Sequence, residues 1–303
     1  MKVKFWGVRG SIATPGPNTV KYGGNTTCIE IASSSGDLII LDAGTGIHAL
    51  AQSLESRQPL TAHILITHTH WDHIQGLPFF LPMFKAGNRI NIYGGLDPFT
   101  QQGIERAMNV QLQHSYFPIS EAQLQADIRY FTLKAGETMA VGGVKVTPTV
   151  LNHPVYNFGY RIEDADGSSL FFTGDYEPPT NPYRSDHPGF QAMQDLTEQK
   201  LAEVIAAMSG VDALIIDSSY TETEYAHRRG WGHGTYASAI AHAKQAAAKR
   251  LFLTHHEPTR GDADLESIYN AILQNIGSEP PIYLAKEGEE YQLAPAASRH
   301  EAQ

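Results

Sequence analysis

Apolar and polar positions alternate at the start of the chain, through Lys2, Val3, Lys4 and Phe5, the pattern of a strand with one buried face. Runs rich in β-forming residues fall at 2–7, 27–33, 38–41 and 62–67, separated by Gly-Asn and Gly-Asp turn signals. A helix-like stretch opens at Asp42 and runs to about Arg57. Further on, the pattern predicts a strand near 90–93, a helix near 98–110, and strands near 144–151, 157–163 and 169–172. Residues 176–192, rich in Pro, Asn, Asp and Tyr, read as a loop forming a lid or rim, and a helical pattern then passes through Leu196, Leu201, Val204 and Met208. A strand at 213–216, an Ala-rich helix at 235–248, a strand at 251–253 and a helix near 263–276 complete the order, with a frayed end from about Pro295. Strands and helices alternate unevenly, as in mixed α/β sheets. No repeat of 20–50 residues is present, although two halves that each end in a loop of ionisable residues suit a pseudo-duplicated sandwich.

Composition changes this picture little. At 303 residues, with 42% hydrophobic and 18% charged positions, the chain has material for one large globular domain. The net charge of −10 and the lack of a Lys/Arg block count against a large nucleic-acid footprint, while a small anionic substrate stays open if bound cations invert the local charge. The single cysteine, Cys28, excludes an internal disulfide and a cysteine-based zinc cluster, fits a reducing compartment and reads as core. With no charged leader and no apolar run of membrane-spanning length, a cytoplasmic protein without membrane insertion is expected.

The candidate chemistry concentrates at His68-Thr69-His70-Trp71-Asp72-His73, four metal-ligand side chains on one loop at the end of the strand 62–67. Other ionisable residues also stand where a strand runs out: His153 after 146–151, Asp175 after 170–172 and His255 after 251–254. Singly, each fits a turn or cap as well as a ligand; with residues 68–73 they make a set.

In their order these pieces resemble the metallo-β-lactamase superfamily, in particular the branch of ribonuclease Z, PhnP-type phosphodiesterases and related cyclic-nucleotide phosphodiesterases. The resemblance covers nearly the whole chain. It includes Gly7-Val8-Arg9-Gly10-Ser11, Leu41-Asp42-Ala43-Gly44-Thr45-Gly46, Thr173-Gly174-Asp175, Gly232-His233-Gly234-Thr235 and Leu253-Thr254-His255. It implies an α/β fold, the four-layer αββα sandwich, as a single domain over 1–294 with a tail at 295–303. It also implies two divalent metal ions: His68, His70 and His153 would hold one, Asp72, His73 and His255 the other, and Asp175 would bridge both. His256 competes with His255 for the last place, and the strand pattern and the Leu-Thr-His motif favour His255. Zinc is the expected metal, with manganese or iron acceptable to the same donors. Two such ions 3.5–4 Å apart can share a hydroxide and stabilise attacking and leaving oxygens. Relatives of this kind are often dimers, so a homodimer is implied.

The fold alone does not choose a substrate. Diiron oxidoreductases resembling this superfamily carry Glu where His70 stands, so the histidine favours hydrolysis. Residues 230–235, with glycines around His233 at a helix start, suit a phosphate, through free N–H donors and the helix dipole. The resemblance makes His233 the group acting beside the scissile phosphate; in the mechanism expected from these residues Asp72 accepts a proton, and Asp217, after a buried strand, reads as a partner of a histidine. Tyr220 and Trp231 are candidates to line a ring pocket; Asn25, Tyr116 and Arg260 are weaker ones. The leading expectation is a phosphodiesterase acting through a metal-bridging hydroxide on a small anionic phosphodiester, foremost a 3′,5′-cyclic nucleotide. The alternatives are a tRNA 3′-end endonuclease, an ester, lactone or thioester hydrolase, and a non-catalytic protein keeping metals for stability.

Overall fold

A computed structural model describes residues 1–97, 99–276 and 279–293, the side chain at 276 excepted. The tail expected at 295–303 lies outside the described residues. The first half runs β1 (Lys2–Gly7), β2 (Cys28–Ala32), β3 (Leu38–Leu41), α1 (Gly46–Ser53), β4 (Thr61–Leu65), α2 (Trp71–Ile74), β5 (Arg89–Gly94), α3 (Glu105–Gln111) and β6 (Asp127–Thr132). The second half runs β7 (Met139–Val141), β8 (Val144–Leu151), β9 (Asn157–Asp164), β10 (Ser169–Phe172), α4 (Phe190–Met208), β11 (Ala213–Asp217), α5 (Glu222–Tyr225), α6 (Tyr236–Gln245), β12 (Leu251–Thr254), α7 (Asp262–Ile276), β13 (Ile282–Leu284) and β14 (Glu290–Gln292).

These strands make two seven-stranded sheets, β14-β1-β2-β3-β4-β5-β6 and β13-β12-β11-β10-β9-β8-β7. The two share one plan: antiparallel pairs, β14 to β3 and β7 to β10, lead into parallel ones, β3 to β6 and β10 to β13. This is the duplication that element order suggested.

Because side chains alternate along a strand, each sheet feeds two cores. In β3, Ile39 and Leu41 join the core between the sheets, where they meet Phe158, Tyr160 and Phe172; Leu38 and Ile40 face outward under α1 with Ile47 and Leu50. In β11, Ala213 and Ile215 point inward, while Leu214 and Ile216 pack with Met208 of α4, Ile240 of α6 and Leu265 of α7. Burying each such Leu, Ile or Phe contributes about 1.5–3 kcal/mol, and the result is the expected αββα sandwich. Cys28 is fully buried in the outer core of the first sheet.

Several boundaries differ from the sequence pattern. Asp42 is not helical: its φ is +57°, and α1 begins only at Gly46. The helix expected near 98–110 is confined to Glu105–Gln111. Strands β6, β7, β13 and β14 were not anticipated; β14 exists because Glu290–Gln292 pairs with Lys2–Lys4 from the far end of the chain, a partner no local window contains. Among the described residues no helix is long and apolar enough to cross a membrane.

Candidate metal centre

The ends of β4, β8, β10, β11 and β12 deliver ionisable residues to one place. His68, His70, His153 and Asp175 form one group; Asp72, His73, Asp175 and His255 form a second; Asp175, Asp217, His233 and His255 form a third. Within each group the ligand atoms lie within 4.8 Å of one another, and Asp175 belongs to all three. His73 Nε2 and His255 Nε2 each lie 3.0 Å from Asp175 Oδ1, and His68 Nε2 lies 3.6 Å from Asp175 Oδ2. Asp72 Oδ2 sits 3.3 Å from both His73 Nε2 and His255 Nε2.

Apart from the His255 Nε2–Asp72 Oδ2 contact, these atoms converge without satisfying one another. His68 Nε2, His73 Nε2 and Asp175 Oδ1 are buried and take part in no hydrogen bond. Buried polar atoms are rarely left so; lone pairs aimed at a common point are the arrangement of ligands around a cation. His70 Nδ1 and His153 Nε2 face each other at 3.2 Å.

The remaining ring nitrogens are fixed from behind. His73 Nδ1 donates to Asp42 Oδ2 at 2.8 Å, and His153 Nδ1 to the Gly232 carbonyl at 3.0 Å. His68 Nδ1 lies 3.1 Å from Thr67 Oγ1, whose hydroxyl donates to Asp42, and His255 Nδ1 lies 3.0 Å from Ser219 Oγ. Holding Nδ1–H in this way leaves Nε2 as the free lone pair. Asp42 was visible in the sequence as part of a motif, but its task was not. The same holds for Ser11, whose N–H donates to Asp72 Oδ2 at 2.8 Å, and for Gly10, where a Cβ would overlap the His255 ring. Among the described residues, three of the five non-glycine positions with positive φ touch this assembly: Ser11, Asp42 and His255. Strain of that kind persists where the surroundings over-determine the backbone.

Electrostatics points the same way. Asp42, Asp72, Asp175 and Asp217 are all buried, and among the described residues none is paired with a lysine or arginine. Burial would raise Asp175, yet His255, His73 and His233 hold its carboxyl well below the usual range. Burial would lower His73 and His255, but the surrounding carboxylates push both well above the ordinary imidazole value. His68 goes the other way, lowered by burial and by His73. The pocket thus demands positive charge beyond what neutral imidazoles supply.

His256 turns away: its Nε2 bonds to the Ala285 carbonyl, and burial drops its pKa to about 3. The structure therefore brings His255, not His256, to the cluster. His233 arrives on the loop before α6, with Nδ1 donating to Asp217 Oδ2 at 2.8 Å and its ring stacked on His255 at 4.8 Å. Some of the N–H donors expected to be free at that helix start are taken up: Tyr236 N bonds the Tyr220 carbonyl, and Thr235 and Ser238 cap one another. The preceding loop is tied to Glu177, a buried carboxylate that no sequence motif marks, which accepts from Gly230 N and Gly232 N at 2.8 Å and from Tyr225 Oη at 2.7 Å. Gly232 has φ +91°, and a Cβ there would overlap the His153 ring.

Tyr220 packs edge-on against His233 at 5.9 Å, whereas Trp231 stands 61% exposed on the rim. Arg260 is buried against Glu224 and the Ser219 carbonyl, Asn25 bonds Glu287 and Thr45, and Tyr116 is exposed, so these three take no part in the cluster.

Two sheets between helices, with clustered His and Asp side chains sharing one carboxylate, define a candidate divalent-metal site on the αββα sandwich. The chain belongs to the beta-lactamase superfamily: the family model, a Beta-lactamase superfamily domain, matches residues 38–256. It is similar to ribonuclease Z of Staphylococcus aureus (strain MSSA476), 23% identical over 307 residues, covering 91% of this chain and 94% of that protein. Among solved structures it resembles human tRNase Z, short form, at TM-score 0.61 and 19% identity, with 97% of this chain and 100% of that one covered. It also resembles a diphosphatase of the PhnP family at TM-score 0.61 and 16% identity, covering 97% and 98%. A ribonuclease among the relatives weighs against the expectation, drawn from net charge, that disfavoured a large nucleic acid.

Proposed function

We propose that this chain is a metal-dependent phosphoric diester hydrolase with two divalent cations, the first held by His68, His70 and His153, the second by Asp72, His73 and His255, and Asp175 shared between them. The observation that carries the reading is the convergence of the three groups on Asp175 with buried, unpartnered ligand atoms. Charge balance supports it, since two divalent cations offset the buried carboxylates Asp42, Asp72, Asp175 and Asp217 with the ligating imidazoles neutral. Zinc suits the mixed His/Asp donors, with manganese or iron as alternatives. When bound, such a pair lowers the pKa of water and stabilises charge on attacking and leaving oxygens.

The chain's own residues do the rest. Asp217 fixes the His233 ring and, with Asp175, raises its pKa against the lowering effect of burial, so His233 is the proton donor and oxyanion partner beside the phosphate. Asp72, although burial alone would raise it, is held far below the carboxylate range by His73 and His255 and is bonded to the Ser11 N–H. This setting suits Asp72 as a ligand, and its expected role as proton acceptor is tested by the turnover of Asp72→Asn.

The substrate favoured is a small phosphodiester, foremost a 3′,5′-cyclic nucleotide, in a cytoplasmic setting. Loops 8–27, 173–189 and 218–235 carry between them only Arg9, Lys21, Arg184, Arg228 and Arg229 as basic residues, and they form no basic arm to follow a long phosphate backbone. The second reading, cleavage of RNA, is favoured by the likeness to ribonuclease Z. The test is turnover of cyclic AMP, cyclic GMP and a tRNA precursor by protein of measured metal content. Cyclic-nucleotide turnover abolished by His68→Ala is the expected result. Activity on the precursor alone would select the second reading, and esterase activity insensitive to His233→Ala would overturn both.

A further inference from the structure

Beside the cluster lies a cavity of 290 Å³ that the proposed chemistry leaves unexplained. His68 and Thr69, on the loop that supplies the candidate ligands, form part of its wall, so it lies against the same loop. Its floor is apolar, made by Ile66, Ile74, Ile104, Ala107 and Val110, and at its mouth stand Trp71 and Phe99, 58% and 86% exposed. Gln111 also lines it, only 4% exposed. The amide orientation is set by Nε2 donating to the Ile74 carbonyl at 3.1 Å, and Oε1 is left buried with no partner. An unmet buried acceptor costs about 1–3 kcal/mol unless a donor arrives.

We infer that this cavity is the seat of a nucleobase: a planar ring that packs on the apolar floor and between Trp71 and Phe99, and donates an N–H to Gln111 Oε1. Its volume, just under the range of roughly 300–1,000 Å³ for small-molecule sites, admits one ring system and excludes a folded nucleic acid. The assignment rests on the phosphodiesterase reading and narrows it, because the ring binds beside the centre that holds the phosphate. Trp71, Ala107, Val110 and Gln111 then become specificity-determining residues, placed on α2 and α3 rather than around Trp231.

Binding by calorimetry to the manganese-loaded protein separates this from turnover. The probes are AMP, purine riboside 5′-monophosphate, which lacks the exocyclic amine, and ribose 5-phosphate. AMP is expected to bind at least about tenfold more tightly than ribose 5-phosphate, and loss of the amine to cost about fivefold. Filling the cavity with Ala107→Phe, or independently with Val110→Phe, brings AMP to within about threefold of ribose 5-phosphate and leaves ribose 5-phosphate unchanged. Equal binding of AMP and ribose 5-phosphate by the unaltered protein, or an AMP preference that survives both substitutions, overturns the inference. Ring-dependent binding without hydrolysis of any phosphodiester leaves the cavity assignment standing and removes the phosphodiesterase reading; hydrolysis without ring dependence does the reverse.

Discussion

Replacing Asp42 by Asn tests whether the residues behind the cluster set its affinity. Asp42 is fully buried; Oδ1 accepts from Thr67 N at 2.8 Å, and Oδ2 accepts from His73 Nδ1 at 2.8 Å and from Thr67 Oγ1 at 2.9 Å. An Asn that keeps the Thr67 N–H bond places its NH₂ against His73 Nδ1, so that nitrogen becomes an acceptor and the ring proton moves to Nε2. A protonated Nε2 does not ligate. Thr67 Oγ1 keeps Oδ1 as its acceptor at 3.1 Å, so the effect falls on His73. Removing a partner of this kind costs about 10–100-fold in metal affinity, or about 1.4–2.7 kcal/mol. The metal-free protein is expected to be no less stable, because burial raises the Asp42 pKa against the pull of His73 and Thr67, and the neutral amide relieves that burden. Zinc competition against a chromophoric chelator, with thermal melts of the metal-free form, reads both quantities. Affinity within threefold of the parent for both ions, or an equal loss of stability with and without metal, would refute the reasoning.

Gly232→Ala should cut turnover by about 10²-fold with the fold retained in circular dichroism, since the new methyl displaces His153 and φ +91° disfavours it; unchanged kcat would contradict the placement of His153. Stripping the metals should lower Tm, and zinc at about 1,000 times its Kd should restore about 4 kcal/mol; an unchanged melt would separate the cluster from stability. His242 is buried, which lowers its pKa from 6.5 to about 4. The unfolded chain therefore binds the proton first, so stability is full above pH 6.5 and falls between 6.5 and about 4, by about 3 kcal/mol from this residue. His242→Gln should flatten that part of the denaturation profile, and an unaltered acid limb would argue against it.

Much of the site is legible along the chain because its parts carry local signals. Four ionisable side chains within residues 68–73 crowd one loop, and His153, Asp175 and His255 each follow an apolar run, so a short window shows both residue type and strand end. What was illegible acts at long range. Glu177 looks like one more carboxylate near a loop until Gly230, Gly232 and Tyr225 are seen to close on it. Three donors of the α6 start, at Thr235, Tyr236 and Ser238, looked free in the sequence and are bonded to Tyr220 or within the Thr235–Ser238 pair. Trp71 and Trp231 are equally exposed aromatics by composition, and only packing puts the first on a cavity wall.

The sequence by itself determined the mixed alternation of strands and helices and the inventory of donors, because apolar period and residue chemistry are properties of neighbours along the chain; the four layers followed from the family resemblance. It also favoured His255 over His256 through the strand that precedes it. Only the tertiary structure decided the rest: Asp42 behind His73, Asp217 behind His233, the edge strand β14 against β1, and the cavity at Gln111. Each of these joins atoms from distant segments, and the two sheets must pack before those segments meet. The distances and burial that set a ligand's lone pair or a base's strength exist only after that packing.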